Sequence, residues 1–157
     1  MIHNVGMADA KVAKGDDTLR TLGLGSCVGL VLFDPSSQVA GLAHIMLPTS
    51  HGTTEDRFKY ADTAVETLLG QLIEQGANRN HVRAKLAGGA QMFAFSTGMD
   101  LVRIGPRNVE AIIAQLVLLH IPIVGSDVGG HVGRTIQVQC DSGQIWIKTV
   151  LQGDRFI

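Results

Sequence analysis

The sequence holds one thiol in a setting that favours access. Cys27 follows Thr21-Leu22-Gly23-Leu24-Gly25-Ser26 and precedes Val28-Gly29. Glycines at 23, 25 and 29 leave the backbone around the sulfur bare, so a substrate can approach closely. Free N–H groups in such a turn can stabilise a developing oxyanion, and Gly25, Ser26 and Cys27 are the candidates. His44 stands alone among apolar residues in Leu42-Ala43-His44-Ile45-Met46-Leu47. Thiol and imidazole together are the raw material of a cysteine hydrolase. The base lowers the thiol pKa and holds an ion pair ready to attack a carbonyl. A third group should orient the ring by accepting its other N–H. No carboxylate lies close in sequence, so the Thr21 hydroxyl is the candidate. Each residue also has a plain structural use. An unpaired cysteine commonly serves as a small buried hydrophobe, and a histidine in an apolar strand as a hydrogen-bonded core residue. A threonine before a turn commonly makes local hydrogen bonds.

Two strands must position the pair. Residues 30–33 are β-formers, Asp34-Pro35-Ser36-Ser37 is a turn, and residues 39–47 return before Pro48. The short connection predicts an antiparallel hairpin. Its register decides the chemistry. If Phe33 faces Gln38, Cys27 faces His44 directly, on one side of the sheet. If Phe33 faces Val39, the two point to opposite sides and only a bulge reunites them.

The rest of the chain reads as follows. Residues 5–12 form a weak strand pattern, and Lys14-Gly15-Asp16-Asp17 a turn. The polar loop over residues 49–57 is a candidate rim for the site. Ala61, Ala64, Val65, Leu68, Leu69, Leu72 and Ile73 make one helical stripe, stopped at Gly76. Residues 82–87 suggest a strand running into the tight passage Gly88-Gly89-Ala90. A second helix is expected over residues 106–119, burying Val109, Ile112, Ile113, Leu116 and Leu119. Residues 121–126 suggest a strand, residues 127–134 a third glycine-rich turn, and residues 136–151 a second hairpin. Strands at both ends with helices between predict an α+β fold of packed sheets with helices outside, as one domain over residues 1–157.

Bulk properties exclude several classes. A net charge of −1 with no basic run argues against nucleic acid or an anionic membrane as partner. The most apolar stretch, residues 112–124, is too short to span a bilayer and is broken by Gln115, His120 and Pro122. With no secretory leader, Cys27 and Cys140 are expected as reduced thiols of a soluble cytoplasmic protein. The Gly23–Cys27 turn lacks a P-loop lysine and precedes a strand, so phosphate binding is not expected. The remaining histidines are scattered without ligand spacing, and no metal site is read. A Cys27–Cys140 redox sensor would form a disulfide on mild oxidation.

Several blocks taken together are familiar. They are Thr21-Leu22-Gly23-Leu24-Gly25-Ser26-Cys27-Val28, Ala43-His44-Ile45-Met46-Leu47-Pro48 and Lys59-Tyr60-Ala61-Asp62, followed by Lys85-Leu86-Ala87-Gly88-Gly89-Ala90, Ile104-Gly105-Pro106-Arg107-Asn108 and Gly129-Gly130-His131-Val132-Gly133-Arg134. In this order the chain resembles the chemoreceptor glutamine deamidase family, CheD, over nearly its whole length. The family often has asparagine where this chain has His131. The resemblance implies two mixed sheets packed together and flanked by helices, an α/β/β/α sandwich as in deamidating bacterial toxins. It implies a catalytic triad falling on Cys27, His44 and Thr21, with no cofactor. The implied reaction converts receptor glutamines to glutamates through a cysteine thioester. The implied partners are chemoreceptor cytoplasmic helices and a CheC-type phosphatase. The alternative reading is an adaptor that binds receptors or such a phosphatase without turnover. Reactivity of the Cys27 thiol separates the two.

Overall fold

The computed structural model describes residues 1–53, 55–92 and 103–157. At its centre lies the expected hairpin, β4 (Val28–Asp34) and β5 (Val39–Ile45), buried at every position. Burial on both faces explains why these strands read as near-continuous apolar runs. They sit inside a five-stranded sheet ordered β2 (Ala10–Lys14), β5, β4, β6 (Arg83–Gly88), β7 (Ile123–Val128). A second sheet is ordered β1 (Ile2–Asn4), β3 (Thr18–Leu24), β8 (Arg134–Gln139), β9 (Ile145–Thr149), β10 (Gly153–Phe156). Both sheets are mixed, because β1 runs parallel to β3 and β6 parallel to β7.

Alternation along the hairpin divides the core in two. Leu30, Leu32, Ala43 and Ile45 face α1 (Ala61–Glu74) and α2 (Ile104–Leu118), meeting Leu68, Leu72, Ile112 and Leu116. Val31, Phe33, Ala40 and Leu42 face the other sheet, meeting Leu19, Ile136, Val138 and Ile147. The α+β sandwich of two packed mixed sheets is therefore present. Among the described residues its layers run helices, sheet, sheet, with both helices on one side.

Two expectations change. Of the strand pattern over residues 5–12, only residues 10–12 lie in a strand, the start of β2; residues 5–9 connect β1, which ends at Asn4 in the other sheet, and turn with Ala8 at φ 59°. Small residues there hid the break. The hairpin register is neither of the two weighed. Phe33 faces Ala40, and Gly29 faces His44. This register is two residues away from the first alternative. A two-residue shift preserves the face, so Cys27 and His44 stay on the inter-sheet side as diagonal neighbours, not a directly opposed pair.

Candidate active site

The site forms where the two sheets meet at one end. Thr21, on β3, and His44, on β5, come from different sheets, and both are about 1% exposed. Thr21 Oγ1 lies 2.7 Å from His44 Nδ1 and 2.7 Å from the Val5 carbonyl oxygen. A carbonyl can only accept, so the one hydroxyl proton goes to Val5. Thr21 Oγ1 must then accept from Nδ1–H, which fixes the ring tautomer. In the neutral ring Nε2 is left as a bare acceptor, and it is buried with no partner among the described residues. The backbone holds this strand equally firmly: Ala8 N–H donates to His44 O and His44 N–H to Asp9 O, both at 3.0 Å.

Cys27 lies just before β4, half-buried beside the inter-sheet core. Its loop is docked on the Gly88–Ala90 passage. Gly89 N–H donates to Cys27 O at 2.9 Å and Ala90 N–H to Gly25 O at 2.8 Å. Gly88, at φ 108°, allows this approach, since a Cβ there would collide with the Cys27 carbonyl. Gly29 has a similar role opposite His44: a Cβ would come within 2.7 Å of Ile136 Cδ1. Upstream, β3 bulges between Thr21 and Leu24, with Gly23 at φ 71°, which turns Leu22 out to 59% exposure.

The electrostatics differ from the expected ion pair. Burial pushes the Cys27 thiol up, only partly offset by its own backbone N–H, and burial pushes the His44 imidazole down. Each shift favours the neutral form of its group. No hydrogen bond joins the sulfur to the ring in this resting arrangement, consistent with the unpartnered Nε2.

The candidate oxyanion donors differ in what occupies them. Gly25 N–H is taken by Gly23 O at 3.0 Å. Among the described residues no backbone carbonyl pairs with the Ser26 or Cys27 N–H. Gly25 N–H is thus occupied, while the Ser26 and Cys27 N–H groups stay candidate donors. The expected rim, residues 49–57, is instead tied to α1, on the helix side of the sheet. Ser50 N–H bonds Asp62, and Arg57 reaches Glu66 and Thr67. Thr54 lies outside the described residues. Two large apolar side chains border the Cys27 loop and β3. Met92, 46% exposed, packs on Gly25, and Leu22 borders two clefts. One, of about 370 Å³, includes Val5, Met7 and Arg20; the other, of about 710 Å³, includes Gly23, Met92 and Trp146. Neither is lined by Cys27.

Sequence reasoning missed two contributors. Val5 acts through its carbonyl, which no side chain advertises. Asn108 is fully buried in the first turns of α2, and its Nδ2 donates to Ser26 O at 3.0 Å and Met46 O at 2.9 Å. Its signal was a polar residue inside a helical stripe. His131 ties its turn to Gln91 O at 2.9 Å. Cys140 is remote. Thr18 pairs with Gln139 and Leu24 with Arg134, so the two thiols sit at opposite ends of β3, roughly 20 Å apart. A disulfide needs Cα atoms within about 7 Å, so the redox-pair reading is excluded.

A family model described as CheD chemotactic sensory transduction matches residues 46–149. That match begins after Thr21, Cys27 and His44, but relatives span all three. The chemoreceptor glutamine deamidase CheD of Bacillus subtilis is 52% identical over 160 residues, covering 100% of this chain and 96% of its own length. That of Halalkalibacterium halodurans is 51% identical, covering 99% of this chain and 98% of its own. A probable chemoreceptor glutamine deamidase of Caldanaerobacter subterraneus is 48% identical, covering 99% and 98%. With half its residues shared along its full length, this chain belongs to the CheD family.

Proposed function

We propose that this protein hydrolyses glutamine side chains of chemoreceptors to glutamate, with Cys27 as nucleophile, His44 as general base and acid, and Thr21 as the group that orients the ring. The observation that carries this reading is the Thr21–His44 hydrogen bond. It leaves Nε2 as a buried lone pair on the face that also bears Cys27.

The neutral resting pair makes proton transfer part of the attack. As Sγ bonds to the carboxamide carbon, Nε2 takes the thiol proton and the carbonyl electron pair moves onto oxygen. The Ser26 and Cys27 N–H groups receive that charge. The oxyanion collapses, the C–N bond breaks, and imidazolium gives its proton to the departing ammonia. Water then attacks the thioester while Nε2 takes one of its protons. Collapse breaks the C–S bond and the thiolate regains the proton from the ring. Amide and water are consumed, acid and ammonia are formed, and no cofactor enters. Closing the sulfur–imidazole contact accompanies substrate entry, as catalytic hydrogen bonds commonly tighten in the complex.

The substrate is a glutamine on a receptor's cytoplasmic helices, offered to the shallow surface bordered by Leu22 and Met92. The protein acts in the cytoplasm; among the described residues no helix is long and apolar enough to cross a membrane. A CheC-type phosphatase is the second partner, and in excess it slows deamidation by competing for this surface. The test is mass spectrometry of a receptor cytoplasmic fragment incubated with the protein. Amide-to-acid mass gains with wild type, absent with Cys27→Ala, support the reading. A fragment that is bound but unchanged in mass leaves only the adaptor role.

A further inference from the structure

We propose that Asn108 is a positioning residue for the oxyanion site: its carboxamide holds the Ser26–Cys27 peptide so that the Cys27 N–H faces the reacting carbonyl oxygen. This rests on Cys27 being the nucleophile and deepens that reading. Asn108 Nδ2 donates to Ser26 O and to Met46 O, at 3.0 and 2.9 Å. Both partners are carbonyls, which can only accept, so the amide orientation follows from chemistry. One bond grips the loop before Cys27; the other grips the chain two residues after His44. One side chain therefore sets the spacing between the thiol segment and the imidazole segment.

The bond to Ser26 O also has a direction. The Ser26 carbonyl and the Cys27 N–H belong to one planar trans peptide, in which the two groups point opposite ways. Anchoring the carbonyl on Asn108 turns the N–H away from α2. That N–H belongs to the residue that carries the attacking sulfur. A carbonyl attacked by that sulfur places its oxygen within reach of the same N–H. The platform behind Asn108 is stiff. A Cβ at Gly105 would collide with the Ala90 carbonyl, and Ala90 N–H in turn bonds Gly25 O at 2.8 Å. The first turn of α2, the Gly88–Ala90 passage and the Cys27 loop thus form one stack of backbones in contact.

The test separates oxyanion positioning from simple loop support. Iodoacetamide alkylates a thiol by displacement at carbon and develops no oxyanion. In full-length Asn108→Ala and Asn108→Asp proteins acting on a receptor cytoplasmic fragment, kcat should fall about tenfold to a hundredfold while KM stays within about twofold. The alkylation rate of Cys27 and its pH profile should match wild type. Parallel loss of alkylation and turnover, or unchanged turnover, overturns the inference. A second measurement needs no variant. A peptide aldehyde in place of the glutamine forms a hemithioacetal on Cys27 of the wild-type protein, read by NMR. The Cys27 amide proton should move downfield. An adduct that leaves this amide unmoved removes the role of Asn108 alone. Failure to form any adduct, with turnover retained by Cys27→Ala, removes Cys27 as the nucleophile and this inference with it.

Discussion

The two cysteines mark opposite ends of one inter-sheet layer, and they differ in everything but composition. Cys140 is 0% exposed, and burial, helped by Asp17 and Asp141, pushes its thiol up to about 12. Cys27 is half-buried, its loop is lined by Gly23 and Gly25, and an imidazole with a bare nitrogen shares its face. At the Cys140 end the sheets close over apolar side chains. At the Cys27 end β3 bulges and the Cys27 loop is docked on the Gly88–Ala90 passage. A thiol becomes usable through what the backbone around it leaves uncovered.

The largest expected effect is on turnover. Cys27→Ala should lower receptor deamidation by about 10⁴-fold or more. Cys140→Ala should leave it within about twofold, while costing about 1–2 kcal/mol of stability in a denaturant melt. Equal activity losses would erase the contrast. Next comes reactivity. Under limiting iodoacetamide, peptide mapping should find Cys27 modified at least about a hundredfold faster than Cys140. Because burial holds the Cys27 thiol above its ordinary 9.0, that rate should keep climbing past pH 9.0. A plateau below neutrality would mean a preformed thiolate–imidazolium pair. With His44 as the proposed general base, deamidation should by contrast require its neutral form. Its depressed pKa should keep activity on below pH 6.5, the ordinary imidazole value.

Thr21→Val should cost about a hundredfold in kcat, with the fixed Nδ1–H tautomer lost in imidazole NMR spectra. An unaltered tautomer would show that the ring is held by other contacts. The smallest effect belongs to the hairpin turn, far from the site. Burial alone would raise the Asp34 carboxyl, but hydrogen bonds from Ser36, Ser37 and the Asn78 N–H outweigh it and hold it at about 2. A carboxyl depressed in the fold stabilises it above the ordinary value of 3.8, and this is lost as pH falls toward 2. Acid titration of stability should show this loss in wild type and its reduction in Asp34→Asn. Activity at neutral pH should be unaffected.

The hairpin, both helices and the β8–β9 strands were legible because their periodicities are strong. Residues 28–34 and 39–45 are apolar enough to announce strands buried on both faces. β10 was missed, since Gly153-Asp154-Arg155-Phe156 has little apolar pattern and edge strands need none. In α2 the stripe was right at Ile112 and Leu116, but Ile113 is largely exposed and the buried face turns through Gly105 and Asn108. A polar residue filling a core position looks like a mismatch until its carbonyl partners are seen.

What the sequence by itself determined was the inventory: a thiol among glycines, a histidine in a buried strand and a threonine ahead of the turn. It also determined the alternation that makes Cys27 and His44 same-face residues in every even-shifted register. Tertiary structure alone decided that Thr21 reaches His44 from the other sheet, that Val5 takes the hydroxyl proton, and that Asn108 holds Ser26 and Met46. Those contacts join residues far apart in the chain, through single hydrogen bonds, three of them to backbone carbonyls of arbitrary residue type. Spacing rules act along one strand or helix; the meeting of two sheets and a helix is set by how whole faces pack.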